Sequence, residues 1–161
     1  VKKLDYECEL AVVLGRDARD VPAGQTRDYI FGYTILNDVS ARDVQTAHKQ
    51  WYFGKSLDGF TPIGPCIVTA DAFADYPPRL GIRSFVNGEK RQDSNTALQI
   101  FDIDHVIAEL SQGMTLKAGT IIATGTPAGV GMGMDPPQFL KPGDVVRCEI
   151  DGIGTLTNPV K

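Results

Sequence analysis

Apolar and polar residues alternate in short runs along most of the chain, and glycine or proline punctuates the runs. A period of two puts successive side chains on opposite faces of a strand. In DVVRCEI, Val146, Cys148 and Ile150 alternate with Val145, Arg147 and Glu149. Pro142-Gly143 precedes that run, and Asp151-Gly152 allows a turn from it into IGTLTN. LGIRSFVNGEKRQ carries Asn87-Gly88 between alternating residues. That is a hairpin signal, because a type I′ turn needs positive φ at its central positions. YTILND, GPCIVTA and TIIATG also read as strands, the last one buried, and Pro65 suits an edge or a strand entry. DIDHVIAELSQG breaks the alternation. It predicts a helix capped by Asp102 or Asp104, with Val106, Ile107 and Leu110 on one face and Gly113 as its stop. In GRDARDVPAGQTRDYIFGYT, Asp20 or Val21 with Pro22 predicts a second, short helix ending at Gly32. Many strands, one or two helices, no internal repeat and no linker predict one mostly β (α+β) domain over residues 1–161.

One run departs from ordinary alternation. LDYECELAVV reads as a single strand whose one face carries Leu4, Tyr6, Cys8, Leu10 and Val12. Its other face carries Asp5, Glu7 and Glu9. Two readings stand: an edge strand with one wet face, or a site for a hard cation, because clustered carboxylates repel unless something positive sits among them.

Composition narrows the field. With 42% hydrophobic and 22% charged residues, the chain has the make-up of a globular protein with a sizeable core. Its net charge of −4 and the lack of a basic block argue against nucleic acid or anionic lipid as partners. No apolar run is long enough to span a bilayer, so no membrane partner is expected. Cys8, Cys66 and Cys148 lie in strand-like runs without a CxxC pair, which predicts buried free thiols in a reducing compartment, not a zinc site.

Glu7 and Glu9 need a third ligand from elsewhere. NDVSARDVQ offers Asp38, Asp43 and Gln45, although Asp38 and Ser40 are also good helix caps. Three carboxylates suit Mg²⁺ or Mn²⁺, which prefer oxygen. Lys55, among aromatic and glycine residues in WYFGKSLDG, either neutralises charge on a bound anion or is an ordinary surface lysine. TGTPAGVG is glycine-rich but lacks the GK[ST] ending of a nucleotide loop. Thr124 and Thr126 there offer hydroxyls to a ligand, or else the segment is a plain turn. His48 and His105 read as surface residues.

The ordered series YECELAVVLG, GYTILNDVSARDVQ, QWYFGKSLDGFTPIGP, VNGEKRQDSNT, IIATGTPAGVG and FLKPGDVVRCEIDGIG resembles the fumarylacetoacetate hydrolase family over essentially the whole chain. The resemblance implies a mixed β-roll or barrel of that family's C-terminal type, a homodimer and a Mg²⁺ or Mn²⁺ cofactor. It places metal ligands on Glu7, Glu9 and Asp38 and a catalytic lysine on Lys55. It places substrate contacts on Gln45, Thr126 and Lys55, with Arg42 beside them. Asp5 receives no role and is expected to be solvated. The implied substrate is a small 2-oxo acid that passes through an enolate. The implied reaction is C–C hydrolysis of acylpyruvate-like or fumarylacetoacetate-like compounds. Oxaloacetate decarboxylation or tautomerisation, and isomerisation or hydration of 2-hydroxyhepta-2,4-diene-1,7-dioate, are the alternatives. A noncatalytic metal-binding protein is the rival of another class. The implied location is the cytoplasm, or the mitochondrion in a eukaryote. Hydrolytic members carry a His and Glu pair on a lid before the first strand. Only six residues precede Glu7, so a leading lid segment is expected to be missing from this chain.

Overall fold

The structure is a computed structural model that describes all residues except the side chain of His48, so the reading of His48 lies outside the described residues. Its elements are β1 (Leu4–Asp5), β2 (Cys8–Leu14), β3 (Ile30–Asn37), β4 (Ser40–Ala41), α1 (Arg42–His48), α2 (Trp51–Lys55), β5 (Ile63–Thr69), β6 (Gly81–Val86), β7 (Glu89–Asn95), α3 (Ile103–Ser111), β8 (Ile121–Ala123), β9 (Val145–Ile150) and β10 (Gly154–Pro159). Two four-stranded sheets, β5-β3-β2-β8 and β10-β9-β6-β7, hold most of the strands, and β1 pairs with β4 in a small third sheet. The fold is mostly β, of the kind the resemblance implied. Among the described residues every strand pairing is antiparallel, and the sheets do not close into a barrel.

The core forms where the inward faces of the two large sheets meet. Cys8, Leu10, Val12 and Leu14 of β2 and Tyr33 and Ile35 of β3 pack with Ile82 and Val86 of β6 and Val146, Cys148 and Ile150 of β9. The period-two pattern of DVVRCEI is therefore the burial pattern of β9. The β6–β7 hairpin turns at Asn87 and Gly88, with φ of 53° and 84°, as a type I′ turn demands. β5, which carries Pro65, is an edge strand, where a missing N–H costs no ladder bond. Asp102 caps α3 by accepting from the His105 N–H.

Several expectations give way to tertiary context. LDYECELAVV is not one strand. β1 ends at Asp5, β2 begins at Cys8, and the Asp5 carboxylate accepts the Tyr6 N–H across the break. The helix expected after Pro22 is a 3₁₀ turn at Thr26–Tyr29, and Gly32 lies inside β3. On α3, Ile103, Ile107 and Ala108 face the core while Leu110 is exposed. β8 is an edge strand with only Ile122 buried. Cys8 and Cys148 are buried thiols, but Cys66 is exposed because β5 lies at the rim. Asp38 and Ser40 make no cap on α1, whose N-cap residue is Ala41. No helix is long and apolar enough to cross a membrane.

Candidate active site

Adjacent antiparallel strands bring the acids together. Glu7 sits just before β2 and Asp38 just after β3. The Glu7 N–H donates to Asn37 Oδ1 at 3.0 Å, and the Asp38 N–H donates to the Glu7 carbonyl at 2.9 Å. Glu9, two residues along, turns to the same side. Ligand oxygens of Glu7, Glu9 and Asp38 all lie within 4.8 Å of one another.

Lys55 reaches this cluster from the end of α2. Its Nζ donates to Glu7 Oε2 at 3.0 Å, to Ser40 Oγ at 3.0 Å, and to Asp38 Oδ2. Gly54 makes that reach possible. A Cβ at position 54 would stand 2.8 Å from the Gln45 backbone nitrogen, so only glycine lets α2 lie this close against α1. The lysine is therefore tied into the acid cluster and is not a free surface charge.

Arg42 stands behind the cluster. Its guanidinium bridges Asp5 Oδ2 at 3.0 Å and Glu7 Oε1 at 2.6 Å, and its third nitrogen donates to Gln45 Oε1 at 3.2 Å. Asp5 is 0% exposed and Arg42 5%. The Asp5 carboxylate also accepts the N–H groups of Gly131 at 2.7 Å and Met132 at 2.9 Å. Solvated Asp5 is thus a mistaken expectation: this carboxylate anchors the arginine that holds Glu7. A buried ion pair survives only with such added hydrogen bonds, because each ion otherwise loses its hydration without replacement.

The TGTP loop closes the other flank. The Gly125 N–H donates to Glu9 Oε2 at 2.7 Å. Thr126 Oγ1 donates to the Cys8 carbonyl at 2.9 Å and accepts from Gln92 Nε2 at 2.8 Å. Glu7, Glu9, Asp38, Arg42, Gln45, Lys55 and Thr126 thus lie in one connected network, although they come from four separate stretches of chain. Asp5, Ser40, Gln92 and the Gly125 N–H also belong to it and were not read as site members from sequence. For Asp5 a signal existed, because it shares the alternation of Glu7 and Glu9. Gln92 had none, since one glutamine in a charged hairpin strand looks like any other.

Electrostatics follows the burial. Burial pushes the Glu9 carboxyl up to about 7. The Asp38 and Glu7 charges act in the same direction, and the Gly125 N–H opposes them. Burial also raises Asp38, against the hydrogen bond from Lys55. Burial works against the charge of Lys55, yet its hydrogen bonds to Asp38 and Glu7 outweigh that cost and raise its pKa. The cluster attracts cations, and its donors are all oxygen, which fits Mg²⁺ or Mn²⁺ and not a thiolate-bound metal. A cleft of about 320 Å³ opens beside Asp38 and Lys55, with Leu36, Ile63, Ile121 and Ala123 on its apolar side. A larger cavity of about 460 Å³ is bordered by Thr124–Ala128 and by none of the three acids, so Thr126 and Lys55 line different hollows and only Asp38 of the acids lines the smaller one.

Known proteins carry a similar sequence and fold. The fumarylacetoacetate (FAA) hydrolase C-terminal family matches residues 1–161. Oxaloacetate tautomerase YisK of Bacillus subtilis is 50% identical over 158 residues, which are 98% of this chain and 52% of that protein. The chain spans about half the length of the curated relatives it matches. Among solved structures, fumarylacetoacetate hydrolase (EaFAH) from Exiguobacterium antarcticum superposes with a TM-score of 0.96 at 52% identity, covering 100% of this chain and 57% of that one. The 2-hydroxyhepta-2,4-diene-1,7-dioate isomerase of Mycobacterium marinum gives 0.87 at 46% identity, covering 98% and 58%. Sequence and fold agree over the whole length, and this chain belongs to the fumarylacetoacetate hydrolase family.

Proposed function

We propose that the protein is a divalent-cation-dependent enzyme of small 2-oxo acids, and that it interconverts the keto and enol forms of oxaloacetate or a close analogue. The observation that carries this reading is the convergence of three carboxylates with Lys55 between two of them. Glu7, Glu9 and Asp38 would hold Mg²⁺ or Mn²⁺. When bound, the cation supplies Lewis-acid stabilisation of negative charge on a 2-oxo oxygen. The chain's own groups do the rest. Lys55 Nζ carries a second positive charge and a transferable proton at the edge of the cleft, where enolate charge would develop. Arg42 and Asp5 fix Glu7, and the Gly125 N–H fixes Glu9, while Lys55, now bonded to Glu7 and Asp38, would share those oxygens with a bound cation. Gln45 borders the same network through Arg42. The Thr126 hydroxyl donates its hydrogen bond to the Cys8 carbonyl and accepts one from Gln92, which leaves one lone pair to accept from a protonated substrate oxygen.

The tautomerase named among the relatives supports this choice of reaction. A second reading, C–C hydrolysis through the same enolate, is favoured by the hydrolase named among the solved structures. A homodimer and a cytoplasmic location complete the proposal, and light scattering tests the dimer. The decisive assay follows oxaloacetate enol loss and acetylpyruvate cleavage in parallel, with Mg²⁺ and with chelator, after subtraction of the metal-only rate. Tautomerisation that chelator abolishes supports the reading. Cleavage without tautomerisation would replace it with the hydrolase, and activity that survives chelator would overturn the cation's role.

A further inference from the structure

Gln92 lies on β7 in the second large sheet, yet its side chain reaches across to the site. It is 1% exposed, and all four of its hydrogen-bonding positions are filled. Oε1 accepts the Cys8 N–H at 3.1 Å and the Ser84 hydroxyl at 2.8 Å. Nε2 donates to Thr126 Oγ1 at 2.8 Å and to the Pro127 carbonyl at 2.8 Å. The Cys8 N–H can only donate and the Pro127 carbonyl can only accept, so the amide has one orientation. Thr126 passes the relay on to the Cys8 carbonyl. A second relay runs beside it: Gln99 Nε2 donates to Thr124 Oγ1 at 2.8 Å, and Thr124 Oγ1 donates to the Leu10 carbonyl at 2.8 Å. Cys8 and Leu10 flank Glu9, while Thr124 and Thr126 flank Gly125, whose N–H holds Glu9.

We infer that Gln92 is a positioning residue which, with Gln99, clamps the loop Thr124–Pro127 onto β2 on both sides of Glu9 and so fixes that carboxylate for the cation. The inference rests on the cation reading above, while the two relays exist independently of it. The clamp has physical work to do. Glu9 is buried beside two other acids, and without the Gly125 N–H in register its side chain would turn away from them toward water. Outer hydrogen-bond partners that orient metal-binding carboxylates in this way commonly govern affinity. The indispensable part of Gln92 is its NH₂ group. A glutamate there keeps the acceptors for Cys8 and Ser84 but presents oxygen to the Pro127 carbonyl, and so repels the loop.

The test compares wild type, Gln92→Glu and Gln99→Met by thermal unfolding, by calorimetric Mn²⁺ titration, and by oxaloacetate turnover at saturating Mn²⁺. Gln92→Glu is expected to weaken Mn²⁺ binding by about 10–100-fold while still unfolding cooperatively. Gln99→Met, at a half-buried position, is expected to weaken it less, and turnover at saturating Mn²⁺ should fall in the same order. A folded Gln92→Glu protein with wild-type Mn²⁺ affinity would overturn the clamp, because a purely structural glutamine would lower the melting temperature alone. If Gln92→Glu does not fold, Gln99→Met decides: unchanged affinity overturns the inference and weakened affinity supports it. A wild-type protein that takes up no Mn²⁺ would overturn the cation reading itself, and the clamp's role with it.

Discussion

Two networks of acids with lysine and arginine occur in this molecule, and they behave in opposite ways. On the outer face of the β10-β9-β6-β7 sheet, Arg83 bridges Asp93 and Asp151, Lys90 pairs with Asp93, and Arg147 pairs with Glu149. There the hydrogen bond from Lys90 holds Asp93 below the usual carboxylate range, and the hydrogen bond from Arg83 does the same for Asp151. At the end of β2 and β3, Glu9 and Asp38 have similar partners within reach, yet both are raised. The residue types are the same, and water makes the difference. Exposed acids keep their hydration and gain a cation. Buried acids lose hydration first, and the cations present only partly replace it. A region left short of positive charge in this way is ready to take up more, whereas the surface ladder is already satisfied.

The sharpest break in this comparison is Asp38→Ala. Loss of one of three converging carboxylates should bring Mg²⁺ binding below calorimetric detection and remove turnover. Wild-type affinity in that variant would take Asp38 out of the site. Next comes Asp5→Ala, which leaves Arg42 buried with one fewer partner and should cost about 3–5 kcal/mol of stability in denaturant unfolding. Asp151→Ala, its counterpart in the exposed ladder, should leave the unfolding midpoint nearly unchanged. Equal effects for the two would erase the distinction between the networks.

Lys55→Ala should lower kcat by about 10²–10³-fold while changing Mg²⁺ affinity much less, because its charge counts most when an enolate forms. Steady-state kinetics at saturating metal reads this directly, and an unchanged kcat would confine Lys55 to holding Glu7 and Asp38 together. The smallest effect is on pH. Glu9 rises from its ordinary 4.5 to about 7 in the folded chain, so the metal-free protein loses stability as pH climbs from about 4.5 to about 7. Cation binding must displace that proton, and Mg²⁺ affinity should fall below pH 7 by at most about tenfold per pH unit. Titrations at pH 8 and pH 6 check the sign, and a flat profile would show that Glu9 is already ionised.

Much of this was legible in advance where local pattern and tertiary need coincide. The alternation of Val146, Cys148 and Ile150 became the buried face of β9, and Asn87-Gly88 became the hairpin turn. Glu7, Glu9 and Asp38 stood out as charges beside apolar runs, but their assignment as ligands, and that of Lys55 as a site residue, came only from the family resemblance. Cys66 and Leu110 were misread because their own runs look buried and only the neighbouring elements reveal the rim.

The linear chain by itself determined the strand-rich class, the hairpin and the capped helix, and it marked Asp5, Glu7 and Glu9 as alternating acids without deciding between a wet edge and a cation site. These depend on periodicity, turn stereochemistry and residue chemistry, all of which act over a few neighbours. The tertiary structure alone decided which charges meet. Asp5 passes from an expected solvated acid to the buried anchor of Arg42, and Gln92 reaches Thr126 and Cys8 from another sheet. Such contacts join residues as far apart as Asp5 and Gly131, a separation no short-range pattern records. Burial, the quantity that raises Glu9 and Asp38, belongs to the packed whole, because water is excluded only when both sheets, the paired helices and the loop are in place.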